Sequence, residues 1–423
     1  MDTTLLNKPQ VDSWESLLLR SAAQISLSAP QYEKIKTRYE NLQNILDATT
    51  DPLLQGAHIF IQGSIGLGTT LKPVPYAVNE MATIDADAIV LLPNAANASA
   101  DQVLEAIEQR FRAGSRVGQP IKPLRRGVRI VYGDENPGFH IDITPARVVA
   151  GNTDQKGLGK LQVPDRETGW KASSPREYCN WLGEIAELKV ITETHSFALD
   201  SSSRADTALA KSTQDPVPDY GEYMDSNPLK AAIKLLKRHR DVWAIANRKE
   251  SIRPISAIIT TLATHAYEEI ARESAHRPLR PIEAMIEIVR RMPDFIDPIP
   301  AGYAVFNPKD DGENFAEKWN RPNGEGSKYR DAFYVWHARA VVDMKLGLED
   351  FGKAETFENA MNEQFGVSKA FVNDAIKKLP ADWTLPGRKA GVTLNSISYA
   401  IFAGAAAASS ASQAAIKPVD RLG

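Results

Sequence analysis

Apolar residues recur at three- and four-residue spacing over the first fifty positions and at two-residue spacing soon after, so the chain opens with helices and passes into strands. Ser13 stands where it would cap the helical run SWESLLLRSAAQ. After Pro30, Tyr32, Ile35, Tyr39, Leu42, Ile45 and Leu46 fall on one face of a long helix. The period then changes. His58 to Ile61 is a short apolar run leading to Gly63, and Thr83 to Leu92 alternates as a strand does. A helix follows, with Ser99 as its cap and Val103, Leu104, Ile107 and Phe111 facing inward. Two more strands, Gly127 to Tyr132 and Phe139 to Thr144, flank the turn-forming loop GDENPG.

Residues from about 50 to 190 thus read as one mixed α/β unit. The stretch 195–222 is polar and rich in Ser, as befits a loop or lid. Beyond it helices dominate: Asn227 to Trp243, Pro254 to Arg272, Pro281 to Arg291, and more between 315 and 380. The end, AGAAAASSASQAAIKPVDRLG, offers little bulky apolar surface and reads as a mobile tail. The expected organisation is α+β: N-terminal helices over 1–49, a core over 50–194, the lid over 195–222, a helical lobe over 223–400 and the tail over 401–423.

Composition narrows the class. The 423 residues carry 50 basic and 53 acidic side chains, a net charge of −3. A dedicated duplex nucleic-acid binder would be strongly basic, so that role is not expected. Cys179 is the single cysteine, which excludes a disulfide framework and points to a reducing, cytoplasmic compartment. No apolar run is long enough for a membrane span, and the first residues lack the pattern of a signal peptide.

The candidate chemistry lies in QGSIGLGTTLKP (62–73), TIDADAIV (83–90) and HIDIT (140–144). Asp85 and Asp87 are two apart on a strand, so they share a face roughly 7 Å apart along the backbone. Asp142 is flanked by Ile141 and Ile143, whose side chains point the other way. If the two strands are neighbours, three carboxylates line one surface and suit Mg²⁺, with Mn²⁺ as substitute. His140 would share the face of Asp142 and cover the site. The Gly-rich segment fails as a Walker loop, because Thr69-Thr70 stand where Lys belongs. It fails as a dinucleotide fingerprint at Leu71. What remains is Gly63-Ser64 at a strand end, whose amides and hydroxyl suit phosphate oxygens.

This order, Gly-Ser, then Asp-x-Asp, then a later Asp, resembles the polymerase-β-type nucleotidyltransferases. QGSIGLGTTLKP with DADAIVLLP is similar to the bacterial CD-NTases, relatives of cyclic GMP-AMP synthase. The stretches at 161–182, 229–243, 253–267 and 307–319 resemble that family in the same order. The resemblance implies a polymerase-β-like core of mixed sheet and flanking helices joined to a helical lobe. It implies two Mg²⁺ at Asp85, Asp87 and Asp142, and a donor triphosphate at Gly63 and Ser64. Lys237 matches the family's triphosphate lysine, although the run around it also reads as a solvated basic face. Ser256 matches a serine that opens the next helix, where unpaired amides favour an anion. The activity implied is the joining of NTPs, purines favoured, into a cyclic di- or trinucleotide for antiphage signalling through a separate effector. A conjugating partner acting at Gly423 is implied for some members. The rival readings are nucleotide addition to an RNA end and an inactive nucleotide sensor.

Overall fold

The computed structural model describes residues 8–377, except 79, 116–118, 155, 191–226, 350 and 352. The expected lid (195–222) and the tail with Gly423 therefore lie outside the described residues.

Seven strands form one mixed sheet: β1 (His58–Gln62), β2 (Ile84–Leu92), β3 (Ile121–Pro123), β4 (Val128–Tyr132), β5 (Phe139–Thr153), β6 (Gly159–Asp165) and β7 (Gly169–Ser173). Their order is β1-β2-β5-β4-β3, with β6 and β7 continuing from β5. β5 runs nine residues beyond the expected Thr144. Its first half pairs with β2 and β4, and its second half turns to β6. β2 and β5 are parallel, with Asp85 opposite His140 and Asp87 opposite Asp142. That register decides the site.

Helices α1 (Lys8–Ile25) and α2 (Ala29–Asp47) precede the sheet. Ser13 is no cap: it lies buried inside α1, which already runs from Lys8. The α2 face of Tyr32, Ile35, Tyr39, Leu42 and Leu46 is buried with one face of the sheet. The buried amide of Gln43 ties down the start of β1, donating to the Ala57 carbonyl and accepting from Ile59 N. Helix α3 (Gly63–Gly66) is a single turn at the end of β1. Helix α4 (Ala100–Gly114) is capped by Ser99 in a reciprocal pairing with Gln102 and closes the same face of the sheet.

A second apolar core gathers α5 (Pro175–Ala186), α6 (Pro228–Asn247), α7 (Ser256–Glu273), α8 (Pro281–Arg291), α9 (Glu325–Asp343), α10 (Ala354–Phe365) and α11 (Lys369–Lys377). Helix α1 belongs to this core and not to the sheet, and Trp14 donates its indole N–H to the Met344 carbonyl. Helix α6 is central, touching α1, α7, α8, α9 and α10. Two short hairpins follow, β8 (Asp297–Ile299) with β9 (Gly302–Ala304) and β10 (Phe306–Asn307) with β11 (Asp310–Asn314), and β11 packs on β7 of the sheet. Among the described residues no helix is long and apolar enough to cross a membrane.

Candidate active site

A cleft of about 640 Å³ opens between the sheet and the helical lobe. Its lining includes Gly63, Ser64, Asp85, Asp87, Lys237 and Ser256, six of the seven residues singled out in the sequence. The seventh, Asp142, stands beside them. One ligand atom each of Asp85, His140 and Asp142 lies within 4.8 Å of the others.

The alternation of β2 and β5 builds this face. Ala86, Ala88, Ile141 and Ile143 are buried on the opposite side, so the carboxylates have nowhere to point but the cleft. Two basic groups manage their charge: His140, expected from the sequence only to cover the site, and Arg129, not singled out there. His140 Nε2 lies 2.8 Å from Asp85 Oδ1, and its Nδ1 is 3.2 Å from Thr83 Oγ1. Arg129, opposite Asp142 on β4, donates from Nε and Nη2 to both carboxylate oxygens.

The three carboxyl groups are consequently unlike. Burial pushes the Asp85 pKa up, but the His140 hydrogen bond and charge, with Arg129 and Lys237, hold it below the ordinary value. Burial and the charges of Asp85 and Asp142 push Asp87 well above it. Burial also raises Asp142, against the pull of Arg129. Crowded carboxylates of this kind, one forced toward its protonated form, are the arrangement a divalent cation relieves. The donor set fits one. Because His140 already engages Asp85, it serves better as the group that orients that ligand than as a ligand itself.

Gly63 sits at φ +60°, and a Cβ built there would overlap the Asp87 carboxylate. The next residue, Ser64, accepts a hydrogen bond at Oγ from Thr70 Oγ1 at 2.9 Å. Across the cleft, α6 presents its basic residues inward. The solvated basic face expected of Lys230, Lys234 and Lys237 is found only in part: Lys230 is half-buried, whereas Lys234 and Lys237 are buried, as are Arg238 and Arg240 beside them. Lys237 Nζ donates to the Thr69 carbonyl at 3.0 Å. Burial and the neighbouring Arg240 lower its pKa to about 8. Arg238 donates to the carbonyls of Lys72 and Pro73, so two successive residues grip the segment that follows the Ser64 turn. Ser256 opens α7, and its Oγ accepts from Arg240 Nη1 at 3.0 Å. Arg240, Arg253, Glu313, Lys318 and Tyr329 complete the wall. None of these five was assigned from sequence.

Acidic strands facing a basic helix across a cleft suit phosphoryl chemistry, and the comparisons specify which. Residues 14–185 match the profile of the Second Messenger Oligonucleotide or Dinucleotide Synthetase domain. The chain has the fold of the CD-NTase CdnG of Bradyrhizobium diazoefficiens, solved in complex with GTP. The TM-score is 0.59 at 18% identity, over 85% of this chain and 97% of that one. It is also similar to CdnC of E. coli MS115-1, solved in a CdnC:HORMA-deltaN complex. There the TM-score is 0.50 at 12% identity, over 82% of this chain and 95% of the other. None of the curated protein sequences matches the chain. Residues 14–185 thus match a second-messenger oligonucleotide or dinucleotide synthetase domain, set within that fold.

Proposed function

We propose that this cleft joins purine NTPs into a cyclic di- or trinucleotide, with Asp85, Asp87 and Asp142 holding two Mg²⁺ ions, for which Mn²⁺ can substitute. The observation that carries the reading is the facing of Asp85 and Asp87 by Lys237 and Arg240 in one cleft. Bound there, the divalent ions would lower the pKa of the acceptor hydroxyl and neutralise the departing pyrophosphate. Gly63 and Ser64 hold the donor triphosphate from the core side, while Lys237 and Ser256 hold it from the lobe side. Burial has raised Asp142, which suits its carboxylate to take the proton of the acceptor ribose hydroxyl. That oxygen bonds to the donor α-phosphorus as the Pα–O–Pβ bond breaks and pyrophosphate leaves. A second round, with the intermediate's own triphosphate as donor, closes the ring.

The same proposal includes a cytoplasmic location and a separate effector that receives the product. It also includes a conjugating partner acting at Gly423, whose loss in Gly423→Glu would abolish conjugates formed on co-expression. The division into 1–49, 50–194, 195–222, 223–400 and 401–423 is likewise proposed, with α1 packing into the lobe.

The test is incubation of the purified protein and Mg²⁺ with labelled NTPs, singly and mixed. Phosphatase-resistant cyclic products are expected, and none from Asp85→Asn with Asp87→Asn. Products that are linear and phosphatase-sensitive, or wild-type yields from the double variant, would overturn the assignment.

A further inference from the structure

Helix α9 has two apolar faces, and among the described residues only one of them is covered. Ala332, Phe333, Trp336, His337 and Ala340 are buried in the lobe. There Trp336 Nε1 donates to His239 Nδ1 at 3.0 Å, which leaves the imidazole proton on Nε2 to be donated to Asp343 at 2.9 Å. Asp343 also accepts from Arg339 Nε. The inner face is thus tied to α6.

The outer face is apolar as well. Val335 is 61% exposed, Val342 41% and Tyr334 38%, with Ala338 and Val341 half-buried between them. These are three of the seven large apolar side chains that stand exposed among the described residues. Single exposed apolar residues are ordinary, but a stripe at helical spacing marks a surface for another helix. Asp331, Val335, Ala338, Val342 and Lys345 follow at steps of four, three, four and three, the spacing of a seam between two helices. Lys345 lies just past α9, and its N–H donates to the Val342 carbonyl, so the helical turn carries it onto the same stripe.

The two ends of the stripe are oppositely charged. Asp331, with its side chain 64% exposed, opens it and meets Arg330 only at 3.5 Å. Lys345 closes it about 21 Å further along, at ~1.5 Å per residue. The charges around Lys345, Glu287 and Arg290, oppose each other. A parallel second copy would set Asp331 against Asp331 and Lys345 against Lys345. An antiparallel one sets each Asp331 against the partner's Lys345, at both ends at once. Ala338 stands midway, and its small side chain lets two helix axes approach closely where a twofold axis would cross.

We propose that α9 pairs antiparallel with α9 of a second copy of this chain, about a twofold axis at Ala338, covering Tyr334, Val335 and Val342. The stripe is complementary to itself in charge and in order, which an isologous contact requires and an unrelated partner does not. Pairing would brace the helix that carries Tyr329 into the cleft wall and Trp336 onto α6. Two helices meeting over about four turns bury an area at the low end of specific interfaces, so the dimer is expected to depend on concentration.

The test is sedimentation velocity of the full chain from micromolar to submillimolar concentration, which reads mass and is independent of the proposed function. Wild type should pass from monomer to dimer across the range. Val335→Glu should stay monomeric with an unchanged melting temperature. Asp331→Lys and Lys345→Glu should each weaken pairing about tenfold, because each turns two attractive charge pairs into two repulsive ones. The two changes together should restore it. A wild type that is monomeric throughout would overturn the proposal and leave the stripe to a different occupant. A dimer that survives Val335→Glu would overturn it by placing the contact elsewhere. Single charge variants that pair as wild type does, or a double variant that fails to recover, would overturn the antiparallel register and the proposal with it.

Discussion

Arg129 closes on both carboxylate oxygens of Asp142, with Nε 2.6 Å from Oδ1 and Nη2 2.7 Å from Oδ2. In the absence of a cation this guanidinium supplies the positive charge that the acidic face requires. Arg129→Gln removes it while keeping a side chain of similar reach. The variant should bind Mn²⁺ without nucleotide more tightly, on the order of tenfold, because one nearby opposing charge has gone. Electron paramagnetic resonance of free and bound Mn²⁺ reads this directly. An unchanged affinity would make the ion pair irrelevant to cation binding.

Asp87 is the strained member of the triad, raised by burial and by the charges of Asp85 and Asp142. In the cation-free protein it holds its proton to higher pH than it does in the unfolded chain. The stability this gives is present below the unfolded pKa and is lost as pH rises toward the raised folded value. Asp87→Asn stays neutral throughout. It should melt above the wild type at pH 8 in chelator, with the gap narrowing toward pH 4, and it should lose turnover. Mg²⁺ should raise the wild-type melting temperature and leave that of the variant nearly unmoved.

At Gly63 the left-handed backbone and the Asp87 carboxylate act together against any side chain. Gly63→Ala should cost about 1–2 kcal/mol from the backbone alone, and more if Asp87 cannot swing aside. Its KM for NTP should rise and kcat should fall, since the added methyl displaces both a cation ligand and the phosphate turn. Chemical denaturation with steady-state kinetics checks both effects. A variant of wild-type stability and rate would show that Asp87 is free to move.

Lys237, lowered to about 8, loses its charge in an accessible range. A donor triphosphate needs the ammonium form, so kcat/KM for NTP should decline as pH rises through about 8. In Lys237→Arg the side chain stays charged and that alkaline limb should disappear or move upward. Identical pH profiles for the two proteins would assign the limb to another group.

The site was legible where its logic is local. Period-two alternation placed Asp85 with Asp87 and set Asp142 against buried isoleucines, because a strand that buries one face must show the other. Gly63-Ser64 was legible as a strand end. What failed depended on pairing across long sequence distances. Arg129 reads as one more polar position in VRIVY until β4 is laid antiparallel to β5 and it meets Asp142. The run around Lys237 reads as a wet basic face because the partners of Lys237, Arg238 and Arg240 are carbonyls at 69, 72, 73 and 254. No periodicity within α6 reveals a backbone acceptor some 165 residues away. The cap expected of Ser13 failed for the converse reason: α1 starts earlier, since its apolar face is completed by a lobe encoded much later.

That placement of α1 sets an order of events on the ribosome. Trp14 finds the Met344 carbonyl across 330 positions. At ~5–20 residues per second, roughly a quarter of a minute to a full minute separates the synthesis of the two. Helix α2 and the sheet can close meanwhile around their own apolar core, whereas the buried face of α1 waits first for α6 and is completed only when the turn after α9 and then α11 emerge. Helix α1 is thus made well before its cover is complete. The acidic strands are in place before α6 brings the basic wall to face them, so the nascent enzyme carries its carboxylates unopposed by Lys237 until the second core assembles.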